Sequence, residues 1–401
     1  MEHIEIAKRI ADAGGALYYV GGCVRDKFMK KEPKDIDFCV TGLSIETFSA
    51  LFPKAFLKGN FFPVFQLNGN DFAFARKETK TALGHTGFSS VTENVSIEED
   101  LKRRDFTINS MAINVLTNEI IDIFGGLHDI KEKLIRATSS AFSEDPLRVY
   151  RGAQFAARFG FTIEPATKTL MKSMKHELST LSAERVFEEL KKGLSAEKPS
   201  EFFHILRELD VLDIHFQEIQ DLIGVIQPIE YHPEGDVYNH VMIVLDKVAE
   251  MTDDITIRFS GLVHDIGKGG TPKHILPHHY NHDANGIKPF NELSHRLNLP
   301  NHWKKLCKVI ITEHMRAGFF DKMSVGKQVS FLERNYHFLK ELEIIAKADS
   351  KNPSLSFQKL GNELMQNVNG KTIKLPNREN AKEILHSKRV EYLKRKGLPT
   401  T

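Results

Sequence analysis

Short β-rich runs fill the first third of this chain and then stop. "ALYYV", "DIDFCV", "FAFAR", "NSMAINVL" and "EIIDIF" all lie before residue 137, whereas from "SEDPLRVYRGAQFAARFGF" onward apolar residues recur at helical spacing, through "SAERVFEELKKGLS", "SEFFHILRELDVL" and "DVYNHVMIVLDKVAEM". Alternation buries one face of a sheet and a 3.6-residue repeat buries one stripe of a helix, so a single layer arrangement cannot serve both parts. The expected fold is an α+β N-terminal domain, a small mixed sheet with helices, followed by all-α domains. The 401 residues have room for two or three such units. "IQPIEYHPEGD", Ile226 to Asp236, carries two prolines and a glycine between helical stretches and is the best internal boundary. The expected division is 1–137, 138–230, 237–350 and a C-terminal helical tail, 351–401, where residues 350 to 375 read as polar and irregular ahead of a basic helix, Arg378 to Lys396.

Composition narrows the class without naming it. Lys+Arg total 55 against 53 Asp+Glu, so any affinity for nucleic acid must come from local basic surfaces. Cys23, Cys39 and Cys307 are far apart, with no C-x-x-C spacing, which argues against a disulfide framework or zinc knuckle and fits a reducing cytoplasm. The first helix is acidic where a signal peptide would be basic, and no run of about 18 apolar residues is present to span a membrane.

In "KDIDFCV", Lys34 to Val40, period-two alternation points Asp35 and Asp37 to one face and Ile36 and Phe38 to the other. Carboxylates so close either raise each other's pKa or hold a cation, and paired oxygens on a rigid strand suit Mg²⁺; a solvated acidic strand end is the bland alternative. Upstream, "VGGCVRD" ends a strand on Gly21 and Gly22 and opens a helix, where backbone N–H groups can cradle a triphosphate and Arg25 neutralise it. Downstream, "EEDLKRRDFTINSMA" sets Arg103 and Arg104 beside Asp105, either as cationic forks for a metal-bound triphosphate or as a salt-bridged helix face.

Taken in this order, the three motifs resemble the nucleotidyltransferase domain shared by CCA-adding tRNA nucleotidyltransferases and bacterial poly(A) polymerases, within the polymerase-β-like superfamily. The resemblance implies two-metal phosphoryl transfer, with Asp35 and Asp37 as catalytic Mg²⁺ ligands and Gly22, Arg25 and Arg104 at the nucleotide.

"EDPLRVYRGAQF", Glu144 to Phe155, opens a helix with Arg148 and Arg151 three apart on one side. A carboxylate beside an arginine can accept from an exocyclic amine and donate to a ring nitrogen. Cytosine and adenine share that pattern, so an Asp145/Arg148 edge would admit CTP and ATP and reject UTP and GTP. The resemblance implies those roles, with Arg151 beside them at the nucleotide. It also exposes two departures: Gln154 stands where many members have an arginine, and Thr79 does so within "FARKETKTALGHTGFSS", which matches the family's flexible loop.

Further on, His240 opens "HVMIVLDKVAEM", His264 and Asp265 sit in the apolar "RFSGLVHDIGKGG", and Asp349 ends a late helical run. An adjacent His-Asp pair in a hydrophobic helix is costly unless something such as a transition metal pairs with it. The pattern resembles the HD phosphohydrolase domain, which implies His240, His264, Asp265 and Asp349 as ligands of a divalent transition metal (Ni²⁺, Mn²⁺ or Co²⁺), with His279, His282 and His314 as further candidates. All three constellations together resemble the bacterial CCA-adding enzymes that carry an HD domain. The implied partners are tRNA, CTP and ATP, with no membrane, and a homodimer is left open. The competing readings are a poly(A) polymerase or a CC-adding enzyme and, from another class, a nucleotide-sensing regulator.

Overall fold

A computed structural model describes residues 2–58, 63–80, 88–350, 356–373 and 380–396. The chain divides into two compact units, Met1–Val186 with Glu208–Val211, and Phe187–Arg207 with Leu212–Thr401.

The first unit runs α1 (Glu2–Asp12), β1 (Ala16–Val20), α2 (Gly22–Phe28), β2 (Asp37–Thr41), α3 (Ile45–Leu51), β3 (Phe56–Lys58), β4 (Val64–Leu67), β5 (Asn70–Phe74), β6 (Lys77–Lys80), β7 (Phe88–Val91), α4 (Ile97–Lys102), β8 (Ala112–Asn114), β9 (Ile120–Ile121), α5 (Gly126–Lys131) and α6 (Leu147–Phe159). Seven strands form one sheet in the order β3-β4-β5-β2-β1-β8-β9, mixed as expected, with β2 and β5 parallel and the other neighbours antiparallel. Alternation along β2 sends Phe38 and Val40 into one cluster with Phe72, Phe74, Ile6, Ile10 and Phe48, and Cys39 into another with Val20, Leu101 and Ala112. Phe38 and Phe72 stack with ring centroids 4.7 Å apart, which ties the two strands that begin at Asp37 and Asn70 into one rigid floor.

Three local expectations change. β2 starts at Asp37, opposite Val20 where β1 ends before the turn at Gly21, so Asp35 lies in a bend outside the ladder. The two acids therefore do not alternate along one strand, and both are exposed at its start. "EIIDIF" contributes only the two-residue β9. β6 and β7 pair as a hairpin, and residues 81–87 of the expected flexible loop lie outside the described residues.

The second unit is helical, built on Val237–Met251, Ile255–Val263, Asn301–Gly318, Val325–Arg334 and Leu339–Asp349. Val244, Val248, Ile310, Val329, Leu342 and Ile345 share its core. The stretch expected to be irregular, 350–375, holds a helix, Phe357–Asn367, whose Phe357 and Leu364 join that core. Phe357, Leu360, Leu364 and Met365 keep helical spacing, with Gln, Lys, Gly, Asn and Glu filling the positions between them. The basic helix, Ala381–Arg395, docks through Leu393, while Arg389 and His386 both bond Glu333.

Phe72 is fully buried. Phe72→Ala should lower the unfolding free energy of the first unit by about 3–5 kcal/mol, read by urea denaturation against the parent chain.

Candidate functional sites

The first site grows from the register of the sheet. β2 and β5 run parallel with Asp37 opposite Asp71, so two carboxylates stand side by side at the same end of neighbouring strands. Asp71 also accepts from Lys58 and Gln66, each at 3.3 Å. Although Asp37 is open to solvent, the protein around its carboxyl raises its pKa; Arg104 opposes the rise, and Asp71 and then Asp35 add to it. Three acids thus converge electrostatically on one place, and Asp37 is ionised there only at a cost that a cation would remove.

Above them, Gly21 adopts φ 71° at the start of α2. A Cβ there would lie 3.0 Å from Arg104 Nη1 and 3.9 Å from Asp37 Oδ2, so glycine serves both the backbone turn and the approach of that guanidinium. Arg104 is aimed by Asp100, which is 1% exposed. Asp100 Oδ2 accepts from Arg104 Nη2 at 2.9 Å and Nε at 3.2 Å, while Oδ1 accepts from Arg103 Nη2 at 2.5 Å. Burial pushes the Asp100 carboxyl up, but Arg104 and Arg103 outweigh it and hold it below the usual range.

A buried network joins this site to α6. Arg25, packed on the Phe159 ring, donates to Asn109 Oδ1 at 2.6 Å. Asn109 donates in turn to Asp105 Oδ1 at 3.1 Å, and Asp105 Oδ2 pairs with Arg151 at 2.6 Å. Burial favours the protonated form of Asp105, yet Arg151 and Arg148 keep its pKa low. Asp145 and Arg148 do not pair with each other: Asp145 accepts from Arg185 at 2.8 Å, and Arg148 donates to the carbonyls of Ala141 and Arg103 at 2.7 and 2.6 Å. Gln154 is 1% exposed and accepts from Arg158, so the departure at that position lies inside the packing of the helix.

The second site is a cluster of buried imidazoles and carboxylates. His240 Nε2 lies 3.0 Å from Asp349 Oδ1 and 3.5 Å from Asp265 Oδ2, and His264 Nε2 lies 3.4 Å from that same Oδ2. All four residues expected to ligate are together. On the other side of Asp265, Oδ1 lies 3.2 Å from His282 Nε2 and 3.4 Å from His314 Nε2. His279 stays outside, its ring bonded to Thr271 and to the Ile226 carbonyl.

The rings are oriented from behind. The Nδ1 atoms of His264, His282 and His314 bond the carbonyls of Gly261, His279 and Ile311 at 2.7, 2.8 and 3.0 Å, and His240 Nδ1 bonds Glu234 at 2.7 Å. Carbonyls and carboxylates only accept, so each Nδ1 carries a hydrogen and each Nε2 is turned inward. His240 Nε2, His264 Nε2 and Asp265 Oδ1 are buried without a well-formed hydrogen bond among the described residues. Burial opposes charging His240, but Asp349 and Glu234 raise its pKa to about 9, a sign that the cluster demands positive charge. This donor set fits a divalent transition metal.

The sequence reading did not single out Asp71, Asp100, Asn109, Arg185, Glu234 or Lys268. Asp71 had a usable signal, an acid opening an apolar strand. Glu234 lies in the stretch read as a boundary, and Lys268, whose ammonium bonds Asp265 at 2.6 Å and Gln227 at 2.8 Å, carries no signal beyond its nearness in sequence to the His-Asp pair.

Comparison with known proteins places these features. The Poly A polymerase head domain matches residues 17–136, the "Probable RNA and SrmB- binding site of polymerase A" residues 160–223, and the HD domain residues 237–351. A "Multifunctional CCA protein" of Cupriavidus necator is 40% identical over 329 residues, 79% of this chain and 80% of that protein. One of Shewanella frigidimarina is 41% identical over 306 residues, 74% of this chain and 73% of its own. Among solved structures, a Thermotoga maritima CCA-adding enzyme complexed with tRNA shares the fold at TM-score 0.67 and 21% identity, covering 97% of this chain and 90% of that one. A CCA-adding enzyme with CTP shares it at TM-score 0.64 and 20% identity, again over 97% and 90%. On the strength of relatives at that identity across most of their length, this chain belongs to the multifunctional CCA protein family.

Proposed function

We propose that this chain adds C, C and A to tRNA 3′ ends from CTP and ATP, and that a separate centre hydrolyses phosphoesters such as the 2′,3′-cyclic phosphates or 2′-phosphates that block such ends. The observation carrying the first activity is the carboxylate pair Asp37 and Asp71, side by side on parallel strands next to Arg104 beneath Gly21. In this reading Asp35 and Asp37 hold Mg²⁺, with Asp71 adding a third acid. Bound Mg²⁺ lowers the pKa of an RNA 3′-hydroxyl and neutralises the departing pyrophosphate. Arg104, fixed by Asp100, meets the triphosphate, and Gly22 and Arg25 complete its cradle. Asp145 and Arg148 supply the base-reading edge with Arg151 beside them, which requires them to exchange their present partners for the incoming base.

At the second centre His240, His264, Asp265 and Asp349 hold Ni²⁺, Mn²⁺ or Co²⁺, an ion that supplies an activated water for attack on phosphorus. Glu234 and the three backbone carbonyls hold the rings aimed through their Nδ1 atoms. The division of labour follows residues 1–137 for transfer, 138–230 for nucleotide reading and body, 237–350 for hydrolysis, and 351–401 as tail, in a cytoplasmic enzyme. Among the described residues no helix is long and apolar enough to cross a membrane.

The direct assay incubates the protein with tRNA lacking its 3′ end and each labelled NTP in turn; incorporation of C and A but not U or G is expected, and UTP incorporation would refute the reading. Asp37→Ala should lower CTP incorporation by far more than the roughly 10–100-fold typical of residues behind the ligands, while metal-dependent phosphatase activity persists. His264→Ala should do the reverse. Asp100→Ala should free Arg103 and Arg104 and raise the KM for CTP by about tenfold or more, measured by steady-state incorporation at fixed tRNA.

A further inference from the structure

The helices Asn301–Gly318 and Val325–Arg334, joined through the short turn Phe320–Lys322, border an open cleft of about 540 Å³ that neither proposed activity uses. Arg316, Lys327 and Arg334 bring three cations to its wall against one acid, Glu313, an excess of two positive charges. We propose that this cleft binds a nucleoside phosphate, at a site formed wholly within the second unit and turned away from the histidine cluster.

Two of the cations are held in place from beneath. Glu313 is 6% exposed, and its Oε1 accepts from Arg316 Nη1 and from Arg334 Nη1, each at 3.1 Å. A buried carboxylate thus fixes two solvent-facing guanidiniums, as Asp100 fixes Arg103 and Arg104. A guanidinium has five N–H donors and these spend one each on Glu313, so a phosphate can be met by the others in pairs. Lys327, Ser330 and Arg334 follow at spacings of three and four, which sets the third cation on the same face of its helix. Arg316 stands two positions after His314, about 200° round the helix, so the cleft opens away from the hydrolytic cluster.

The rest of the wall is apolar. Met315, Met323 and Phe331 line it, together with Phe319, which is 50% exposed. The Lys322 ammonium lies over the Phe319 ring, 5.4 Å from its centre, and the opposite face is a flat surface on which a base can stack. Glu313 separates a bare anion from one that carries a sugar. Its Oε2 is buried without a well-formed hydrogen bond among the described residues, and an unanswered carboxylate oxygen beside the cations repels a second anion unless that anion brings a donor with it. A ribose phosphate offers a hydroxyl and a phosphate close together, and its base fills the apolar part. The volume also lies in the range of roughly 300–1,000 Å³ usual for small-molecule sites.

The test irradiates the full chain with 8-azido-ATP in the absence of RNA and maps the labelled peptides by mass spectrometry. Label is expected within residues 315–334, displaced by unlabelled ATP but not by the same concentration of inorganic phosphate or of adenosine. Arg316→Gln with Lys327→Gln should cut that label by about tenfold or more, and Phe319→Ala by about fivefold or more, while label in the first unit is unchanged and thermal unfolding confirms that both variants fold. No label in the cleft, label that survives the double variant, or displacement by phosphate as effective as by ATP would overturn the site. Loss of label from the first unit alone would count against the transferase reading and leave the cleft standing.

Discussion

A carboxylate withdrawn from water has to have its charge and lone pairs answered by fixed neighbours, and this chain is built around two that satisfy that demand in the same manner. Asp100 and Asp265 are 1% and 2% exposed. Each spends its two oxygens on different partners: Asp100 on Arg103 and Arg104, Asp265 on two groups of imidazoles with Lys268. Because the carboxylate is planar and rigid, a group held on one oxygen fixes the direction available to the other. Placement of Arg104 over the acids of the sheet, and of the histidines around Asp265, is therefore set from inside the protein rather than by whatever binds.

The network from Arg25 through Asn109 and Asp105 to Arg151 has the same logic extended over several residues. Taken together, its links join α2, beside the glycine turn, to α6. Asn109 can act as connector because its amide accepts from Arg25 at one end and donates to Asp105 at the other. Removing Arg151 takes the ion pair from the buried Asp105 carboxylate, so the segment after the glycine turn and the helix proposed to read the base hold one geometry together.

Much of this was legible in the sequence because chemistry and order survive without coordinates. The α+β to all-α transition followed from the change of period, and His240, His264, Asp265 and Asp349 do meet in one cluster. What stayed hidden depends on register and on distant pairing. Asp71 becomes opposite Asp37 only when β5 is laid parallel to β2. Asp35 shares no strand with Asp37, because β1 ends at Val20 opposite Asp37, a limit that period-two counting ignores. The Phe357–Asn367 helix was masked by the polar residues between its apolar ones, and the attachment of Asp145 to Arg185, 40 positions on, leaves no local trace.

The two centres also differ in what their atoms prefer to hold. The first presents carboxylate oxygens alone, suited to small hard ions that keep their water; the second presents imidazole nitrogens oriented by carbonyls and Glu234, suited to borderline ions that shed it. If the two centres hold the ions proposed for them, one polypeptide draws on two separate supplies of inorganic nutrient, and scarcity of the borderline ion would silence the second centre while the first kept running on the hard one.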